Sequence, residues 1–276
     1  MTARAEQPVS HRRRTGRRRA VIAGVSALGV TGAAILTSTM LSTASAASSW
    51  PSDTGGKPVS KTIPVSGSLD GGMKKYYGTG ALGGGGQDEG QDPIFELADG
   101  ATLKNVVLGA PAADGIHCKG SCTLQNVWWE DVGEDAATFK GKSSSSVYTV
   151  SGGGAKEASD KVFQFNGAGT LNVSNFAVKN FGTFVRSCGN CKTQYKRTIV
   201  LKDIDLMAPG KSIVGVNTNY GDTATLSQVR IHGDGKKKMK TCTRYQGNNT
   251  GKEPKDLGSG PDGKHCKFSD SDITYK

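Results

Sequence analysis

A repeat of short strand-like segments is the feature that most constrains how this chain can fold. The segments "ATLKNVVLG" from residue 101, "CTLQNVWWE" from 122, "GTLNVSNFAV" from 169 and "ATLSQVRIHG" from 224 are similar to one another. Their aligned apolar positions recur every 21 to 28 residues, at Val106, Val127, Val150, Phe176, Ile204 and Val229. A drifting period of strands and turns, without long amphipathic helices, is typical of a solenoid whose stacked coils bury one continuous core. The sequence therefore predicts an all-β fold, a parallel β-helix.

The competing all-β fold is a β-sandwich, which also uses short strands. Its hairpin turns recur every ~8–12 residues, so the longer repeat favours the solenoid. Asn105 and Asn126 fall at the same position of consecutive coils. We expect their side-chain amides to hydrogen-bond from coil to coil.

The first 46 residues have the pattern of a secretory signal peptide. Arginines at 12–14 and 17–19 precede an apolar run at 20–36, and Ala44, Ser45 and Ala46 form a small-residue cleavage site. The pattern predicts export to the extracellular space with residues 1–46 removed. Twin-arginine and general export both remain open, and a retained membrane anchor is the alternative. Residues 47–58 are predicted to be a flexible leader and 59–276 the β-helix domain.

Net charge limits the classes of partner. Because residues 1–46 contribute seven arginines and one glutamate, their removal lowers the formal net charge from +11 to +5. A mildly basic protein fits an acidic extracellular polymer better than nucleic acid. We expect no nucleic-acid partner, no membrane contact after cleavage, and a monomer.

Six cysteines follow the signal segment: Cys118, Cys122, Cys188, Cys191, Cys242 and Cys266. An even number in an exported chain indicates disulfides, and we pair each cysteine with its neighbour in sequence. Zinc binding by the two closely spaced pairs is the alternative. The Lys- and Gly-rich segment after Gly233 is expected to lack strands and to be held by a bond between Cys242 and Cys266.

Charged residues recur at the coil period. Steps of 25, 21, 26 and 25 residues connect Glu89, Asp114, Asp135, Lys161 and Arg186. Because consecutive coils lie ~4.8 Å apart, these residues are predicted to form one column, acidic at one end and basic at the other. With Glu134, the acidic end suits Ca²⁺, which accepts several carboxylates in a loose geometry. A row of surface ion pairs is the alternative.

Three longer motifs carry a family resemblance. The stretches "DGIHCKGSCTLQNVWWEDVGEDAATFKG" from 114, "DKVFQFNGAGTL" from 160 and "NFGTFVRSCGNC" from 180 resemble the family-3 pectate lyases. The likeness runs from about residue 60 to the C-terminus. It implies a right-handed parallel β-helix, calcium dependence, and β-elimination of de-esterified polygalacturonate.

The resemblance also implies roles for particular residues. It places calcium ligands among Glu89, Asp114, Glu134 and Asp135. Lys161 and Arg186 correspond to the base and the clamp on the substrate carboxylate, in an order that stays open. Substrate-binding positions implied by the family motifs are Lys140, Asp131, Trp129 and His117. The chain departs from many relatives at Thr183, where they carry a lysine, so one substrate contact is in question.

Simpler structural roles compete with some of these assignments. His117 also suits a structural hydrogen bond, and Asp131 suits a turn before Gly133. On a strand, Trp128 and Trp129 point to opposite faces, so one is expected in the core and the other on a sugar-stacking surface.

Two other functions also fit an acidic groove on a solenoid. A glycoside hydrolase needs two carboxylates ~5–9.5 Å apart, and a calcium-dependent glycan-binding module needs no catalyst. A hydrolase leaves Lys161 and Arg186 without a role, so a lyase is the preferred interpretation.

Overall fold

The computed structural model describes residues 50–87 and 90–276 of the chain. Within these ranges the backbone forms strands, turns and three short 3-10 helices, at Gly80–Leu82, Thr218–Tyr220 and Asp270–Asp272, and no α-helix. The first eight strands are β1 (Gly56–Val59), β2 (Ile63–Val65), β3 (Ser68–Gly78), β4 (Phe95–Leu97), β5 (Ala101–Leu108), β6 (Ile116–Cys118), β7 (Cys122–Trp129) and β8 (Asp135–Phe139). The others are β9 (Val147–Phe165), β10 (Gly169–Ser187), β11 (Arg197–Asn217), β12 (Thr223–His232), β13 (Lys240–Gln246), β14 (Lys255–Ser259), β15 (Cys266–Lys267) and β16 (Ile273–Tyr275). No helix in the described ranges combines the length and apolarity needed to span a membrane.

The strands form two parallel stacks. The first stack runs through β1, β3, β5, β7, the N-terminal parts of β9, β10 and β11, and β12. The second stack runs through β2, β4, β6, β8, the C-terminal parts of β9, β10 and β11, and β13. Each of the long strands β9, β10 and β11 bends from the first stack into the second. The predicted parallel β-helix is confirmed.

Coil-to-coil register follows the sequence repeat at most positions. Val106 pairs with Val127, Phe176 with Ile204, and Ile204 with Val229, as predicted. The prediction is wrong for Val150, which pairs with Leu124, while Gly153 takes the place opposite Val127. Val150 and Gly153 are three residues apart, and sequence spacing alone does not decide which of them lies opposite Val127.

An asparagine ladder marks the corner within the first stack. Asn126 Nδ2 donates to Asn105 Oδ1 at 2.8 Å, which confirms the predicted bond between coils. Both residues have φ near +55°, a left-handed conformation that asparagine tolerates better than most residues. The ladder therefore turns the chain and satisfies side-chain amides at the same corner.

The core is filled by stacked aromatic side chains. The Trp129 and Phe163 ring centroids are 6.0 Å apart, and Phe163 lies 5.3 Å from Phe176. All three side chains are fully buried. Replacing such a ring by alanine typically costs ~3–5 kcal/mol, so this column contributes strongly to coil stacking.

Both ends of the domain differ from expectation. Strand β1 and the packing of Trp50 against Trp128, with centroids 5.0 Å apart, place packed structure inside the predicted leader. The domain therefore begins before residue 59. The segment after Gly233 was predicted to lack strands, which is wrong: it contains β13, β14, β15 and β16. The predicted signal peptide lies outside the described residues.

Candidate active site

Three buried carboxylates lie together at the start of β8. One ligand oxygen from each of Asp114, Glu134 and Asp135 lies within 4.8 Å of the others. Their residues are between 2% and 7% exposed. Three of the four predicted calcium ligands are thus brought together, and the fourth, Glu89, lies outside the described residues.

Two glycines allow the backbone segments that carry these carboxylates to approach closely. A Cβ on Gly133 would lie 2.1 Å from the carbonyl oxygen of Ala113, and one on Gly115 would lie 2.2 Å from that of Ala136. Gly115 also has a left-handed φ of 50°. Any side chain at either glycine would push the Asp114 segment away from β8.

The electrostatics of this cluster favour a bound cation. Burial and the neighbouring Asp114 raise the pKa of Glu134 to about 7. Burial raises the pKa of Asp135 well above its usual value, against the opposing effect of Lys161. Asp135 Oδ1 is buried and accepts no hydrogen bond. A hard cation would relieve this repulsion and satisfy that oxygen, so the donor set fits an oxygen-preferring metal.

Lys161 lies on the coil next to the acidic cluster. Asp135 pairs with Lys161 in the second stack, as predicted. Lys161 Nζ is 3.7 Å from Asp135 Oδ1 and 4.0 Å from Glu134 Oε1, and it also contacts Asp160. Burial lowers the pKa of Lys161, but these carboxylates outweigh that effect and the pKa is raised. Lys161 is therefore protonated as long as these carboxylates bind no metal ion.

Arg186 occupies the same groove at a different register from the one predicted. Lys161 pairs with Thr183, a step of 22 residues, and Arg186 pairs with Gln164. The prediction that Arg186 continues the column directly above Lys161 is wrong, because β10 has an irregular register between Phe181 and Thr183. Arg186 lies three residues further along the strand. It still faces the groove that Lys161 lines.

This groove has a volume of about 320 Å³. Its walls come from β9, β10, β13 and two loops, and its lining residues are Asp160, Lys161, Gln164, Thr183, Arg186, Cys188, Gly189, Asn190, Tyr245, Glu253 and Pro254. Burial lowers the pKa of Arg186. Its guanidinium nevertheless stays protonated, as arginine side chains do in proteins. The groove thus presents two cationic side chains beside three buried acids.

Sequence reasoning missed six lining residues: Gln164, Gly189, Asn190, Tyr245, Glu253 and Pro254. Gly189 and Asn190 were inside a quoted motif. Gln164 stands three positions after Lys161 and was inside a quoted motif. Tyr245 and the loop before β14 belong to the segment predicted to lack strands. The available signal for a strand there was the recurrence at every second position of Thr241, Thr243 and Tyr245, which are residue types enriched in strands.

His117 and Lys140 form a contact chain behind the acidic cluster. His117 Nε2 lies 2.6 Å from Asp114 Oδ2, and Lys140 Nζ lies 3.1 Å from His117 Nδ1 and 3.0 Å from His117 Nε2. Burial and the charge of Lys140 lower the pKa of His117 to about 4. In the tautomer with its proton on Nε2, the neutral imidazole donates to Asp114 and leaves Nδ1 to accept from Lys140. His117 therefore orients a predicted metal ligand.

Of the predicted substrate-binding residues, the tryptophan is buried in the core and the aspartate is exposed. Trp129 is fully buried among Phe163 and Phe176, so its predicted contact with sugar is wrong. Trp128 faces outward, where Trp50 covers it. Asp131 is exposed in the loop between β7 and β8. Its role in substrate binding stays a prediction.

The three disulfides join cysteines as predicted. They are Cys118–Cys122, Cys188–Cys191 and Cys242–Cys266. The second closes the loop that lines the groove, and the third ties β13 to β15. Because the cysteines of both closely spaced pairs are bonded to each other, zinc binding by these pairs is excluded.

Known proteins with similar sequences are pectate lyases. The family model described as pectate lyase matches residues 47–252. A probable pectate lyase E of Neosartorya fischeri is 47% identical over 222 residues, which cover 80% of this chain and 84% of the relative. Pectate lyase E of Emericella nidulans is 47% identical over 223 residues, with coverage of 80% and 84%.

Solved structures of pectate lyases are similar to this chain in both fold and sequence. The catalytic domain of pectate lyase PelI from Erwinia chrysanthemi has a TM-score of 0.69 and 32% identity, covering 80% of this chain and 100% of that chain. PelI in complex with tetragalacturonic acid has a TM-score of 0.68 and 32% identity, covering 79% of this chain and 70% of that one. The parallel β-helix, the buried acidic cluster and the extent of these matches together show that this chain belongs to the pectate lyase family.

Proposed function

We propose that the protein is exported and cleaves de-esterified polygalacturonate by calcium-assisted β-elimination, leaving unsaturated oligogalacturonides. The observation that carries this proposal is the position of Lys161, 3.7 Å from buried Asp135, in the groove that also holds Arg186. Two cations in a groove, with a carboxylate cluster beside it, match the needs of an anionic sugar polymer.

The substrate class follows from charge and from the relatives. Polygalacturonate carries one carboxylate on each sugar, and Arg186 presents a planar guanidinium suited to bidentate pairing with a carboxylate. The PelI relative has been crystallised with tetragalacturonic acid. We infer that Arg186 binds the carboxylate of the sugar whose C5 proton is removed.

Asp114, Glu134 and Asp135 are the residues proposed to hold the ion. Calcium fits better than magnesium because three carboxylates in a loose arrangement suit its flexible coordination. When bound, Ca²⁺ would neutralise the substrate carboxylate and make the C5 proton more acidic. Glu134 must lose its proton to act as a ligand, so its raised pKa makes ion binding stronger as pH rises.

Lys161 is the proposed base. Once Glu134 and Asp135 serve as ligands, their charges no longer hold the Lys161 ammonium protonated, and the nearby positive charge of Arg186 lowers its proton affinity further. Neutral Lys161 then takes the C5 proton, the C4–O bond breaks, and a C4=C5 double bond forms. The departing oxygen receives a proton from solvent.

A glycoside hydrolase is not favoured by the same geometry. The ligand oxygens of the three acids lie within 4.8 Å of one another. This spacing is shorter than the ~6.5–9.5 Å between the carboxyl groups of inverting hydrolases, and a retaining hydrolase would leave Lys161 and Arg186 without a role. The acids here are also buried behind Lys161, where they suit ion binding better than proton transfer to a glycosidic oxygen.

An assay for unsaturated products tests the proposal. Ultraviolet absorbance is followed with polygalacturonate and with highly methylated pectin, for metal-free enzyme and after addition of Ca²⁺ or Mg²⁺. We expect activity on polygalacturonate only, restored better by Ca²⁺. Asp135→Asn should weaken Ca²⁺ binding in calorimetry with little loss of stability. Glu96→Gln, at a partly exposed acid of β4 that pairs with Lys119, serves as the control. Full activity in chelated enzyme, or only saturated products, would refute the proposal.

Export has a separate test. The apolar run at 20–36 and the site after Ala46 motivate it. The N-terminus of protein from culture supernatant is expected to be Ala47. An exported protein that retains residues 1–46 would contradict the signal-peptide assignment.

A further inference from the structure

Arg186 differs from every other arginine in the described ranges. Arg197, Arg230 and Arg244 each lie within 4.0 Å of an aspartate oxygen. Arg186 has no such carboxylate, and its Nη1 is buried without a hydrogen-bond partner. Something other than an ion pair must therefore hold this guanidinium in the groove.

Tyr245 supplies that contact. The Arg186 Cζ lies 3.7 Å from the centroid of the Tyr245 ring, the shortest spacing between a cation and a ring in the described chain. Tyr245 lies on β13, one coil beyond β11 and two coils beyond the part of β10 that carries Arg186. Stacking on an aromatic face holds a guanidinium by its plane and leaves the N–H groups at its edge free.

Two glycines leave room for this stacked arrangement. Gly215 pairs with Arg186 on the next coil, and a Cβ there would lie 2.9 Å from Arg186 Cδ and 3.1 Å from Tyr245 Cε2. A Cβ on Gly189 would lie 2.8 Å from Arg186 Nη2. Side chains at these positions would displace the guanidinium or the ring.

We propose that Tyr245 is a positioning residue for the reaction, which holds the Arg186 guanidinium face-on so that its N–H edge is directed at the substrate carboxylate. This inference rests on the proposed role of Arg186 in the lyase. The chemical reason for an aromatic partner is competition: a carboxylate partner would occupy the donors that the substrate needs, whereas a ring face leaves them unoccupied. The segment β13, outside the sequence repeat, thereby completes the groove.

The kinetic test compares Tyr245→Phe and Tyr245→Leu with wild type on polygalacturonate. Tyr245→Phe keeps the ring and is expected to remain within about twofold of wild-type kcat/KM, while Tyr245→Leu should lose on the order of tenfold. Tyr275→Leu, which removes a half-buried ring beneath Lys237, is the matched control and should leave kcat/KM unchanged. In an Arg186→Lys background, Tyr245→Leu should have little additional effect, because the two residues act as one unit.

A spectroscopic readout does not depend on activity. The Arg186 Nε–H resonance should be shifted upfield by the ring current of Tyr245, should keep that shift in Tyr245→Phe and should lose it in Tyr245→Leu. An inactive wild type would refute the proposed lyase function, whereas an active wild type with full activity in Tyr245→Leu would refute the positioning role. Absence of the upfield shift in wild type, or loss of activity in Tyr245→Phe equal to that in Tyr245→Leu, would also overturn it.

Discussion

Arg197 is the residue whose replacement should most clearly reveal how the loops around the groove are held. Its side chain is fully buried. Nε donates to the carbonyl of Gly167 at 2.8 Å, Nη2 donates to that of Asn166 at 2.9 Å, and Nη1 donates to Gln194 Oε1 at 3.2 Å. Buried Asp222 lies 3.9 Å from Nη1. We predict that Arg197→Met strongly destabilises the protein.

The magnitude follows from what the substitution leaves behind. Removing one partner of a buried ion pair typically costs ~3–5 kcal/mol, because the remaining charge loses its compensation. Asp222 would keep its hydrogen bonds from the backbone N–H groups of Arg197 and Asn217, at 2.9 and 3.0 Å, so the lower part of that range applies. For a domain of this size each kcal/mol lowers the Tm by ~2–4 °C, which gives a decrease of roughly 6–16 °C.

Thermal unfolding of chelated protein at neutral pH measures this change. Arg244→Met is the matched control, since Arg244 is partly exposed and meets Asp262 at 3.5 Å, a pair worth ~0–1 kcal/mol. Arg197→Met with Asp222→Asn should recover part of the lost stability, because the uncompensated charge is gone. A Tm for Arg197→Met within about 2 °C of wild type would refute the reasoning.

Three further predictions concern the acidic cluster, the base and the N-terminal segment. Because the pKa of Glu134 is raised from 4.5 to about 7, its stabilising contribution is complete below about pH 4.5 and is lost as pH rises through 7. The Tm of chelated protein should therefore fall between these pH values, and added Ca²⁺ should reverse the fall. An equal pH dependence of the Tm in Glu134→Gln would contradict this. Lys161→Ala should lower kcat by on the order of 10² or more, with little change in KM. The measurement is the pH dependence of kcat for the variant and for wild type. Near-normal turnover with an unshifted alkaline limb would transfer the role of base to Arg186. Trp50→Ala should destabilise the domain by about 1–2 kcal/mol in urea unfolding, because it removes the ring that covers Trp128, and an unchanged midpoint would show that the contact is energetically neutral.

The sequence repeat was sufficient to predict the solenoid and much of the acidic site. In a parallel β-helix, residues one period apart in sequence become neighbours in space, so spacing carries direct information about contacts. For this reason spacing alone placed Asp135 beside Lys161 and Asn126 beside Asn105. Two disulfides followed from cysteines only three or four residues apart, and the third joins the remaining pair, which is 24 residues apart.

Tertiary structure alone decided the features that interrupt this periodicity. The irregular register in β10 moves Arg186 three residues along its strand, and spacing does not reveal where a strand absorbs such a shift. Which of two adjacent tryptophans enters the core depends on the strand's register with its neighbours, and here it is Trp129. Tyr245 reaches Arg186 from a segment outside the repeat, because β13 continues the second stack after the sequence pattern has ended. Contacts of this kind depend on where the coils close, and that is set by packing in three dimensions rather than by the distance between residues along the chain.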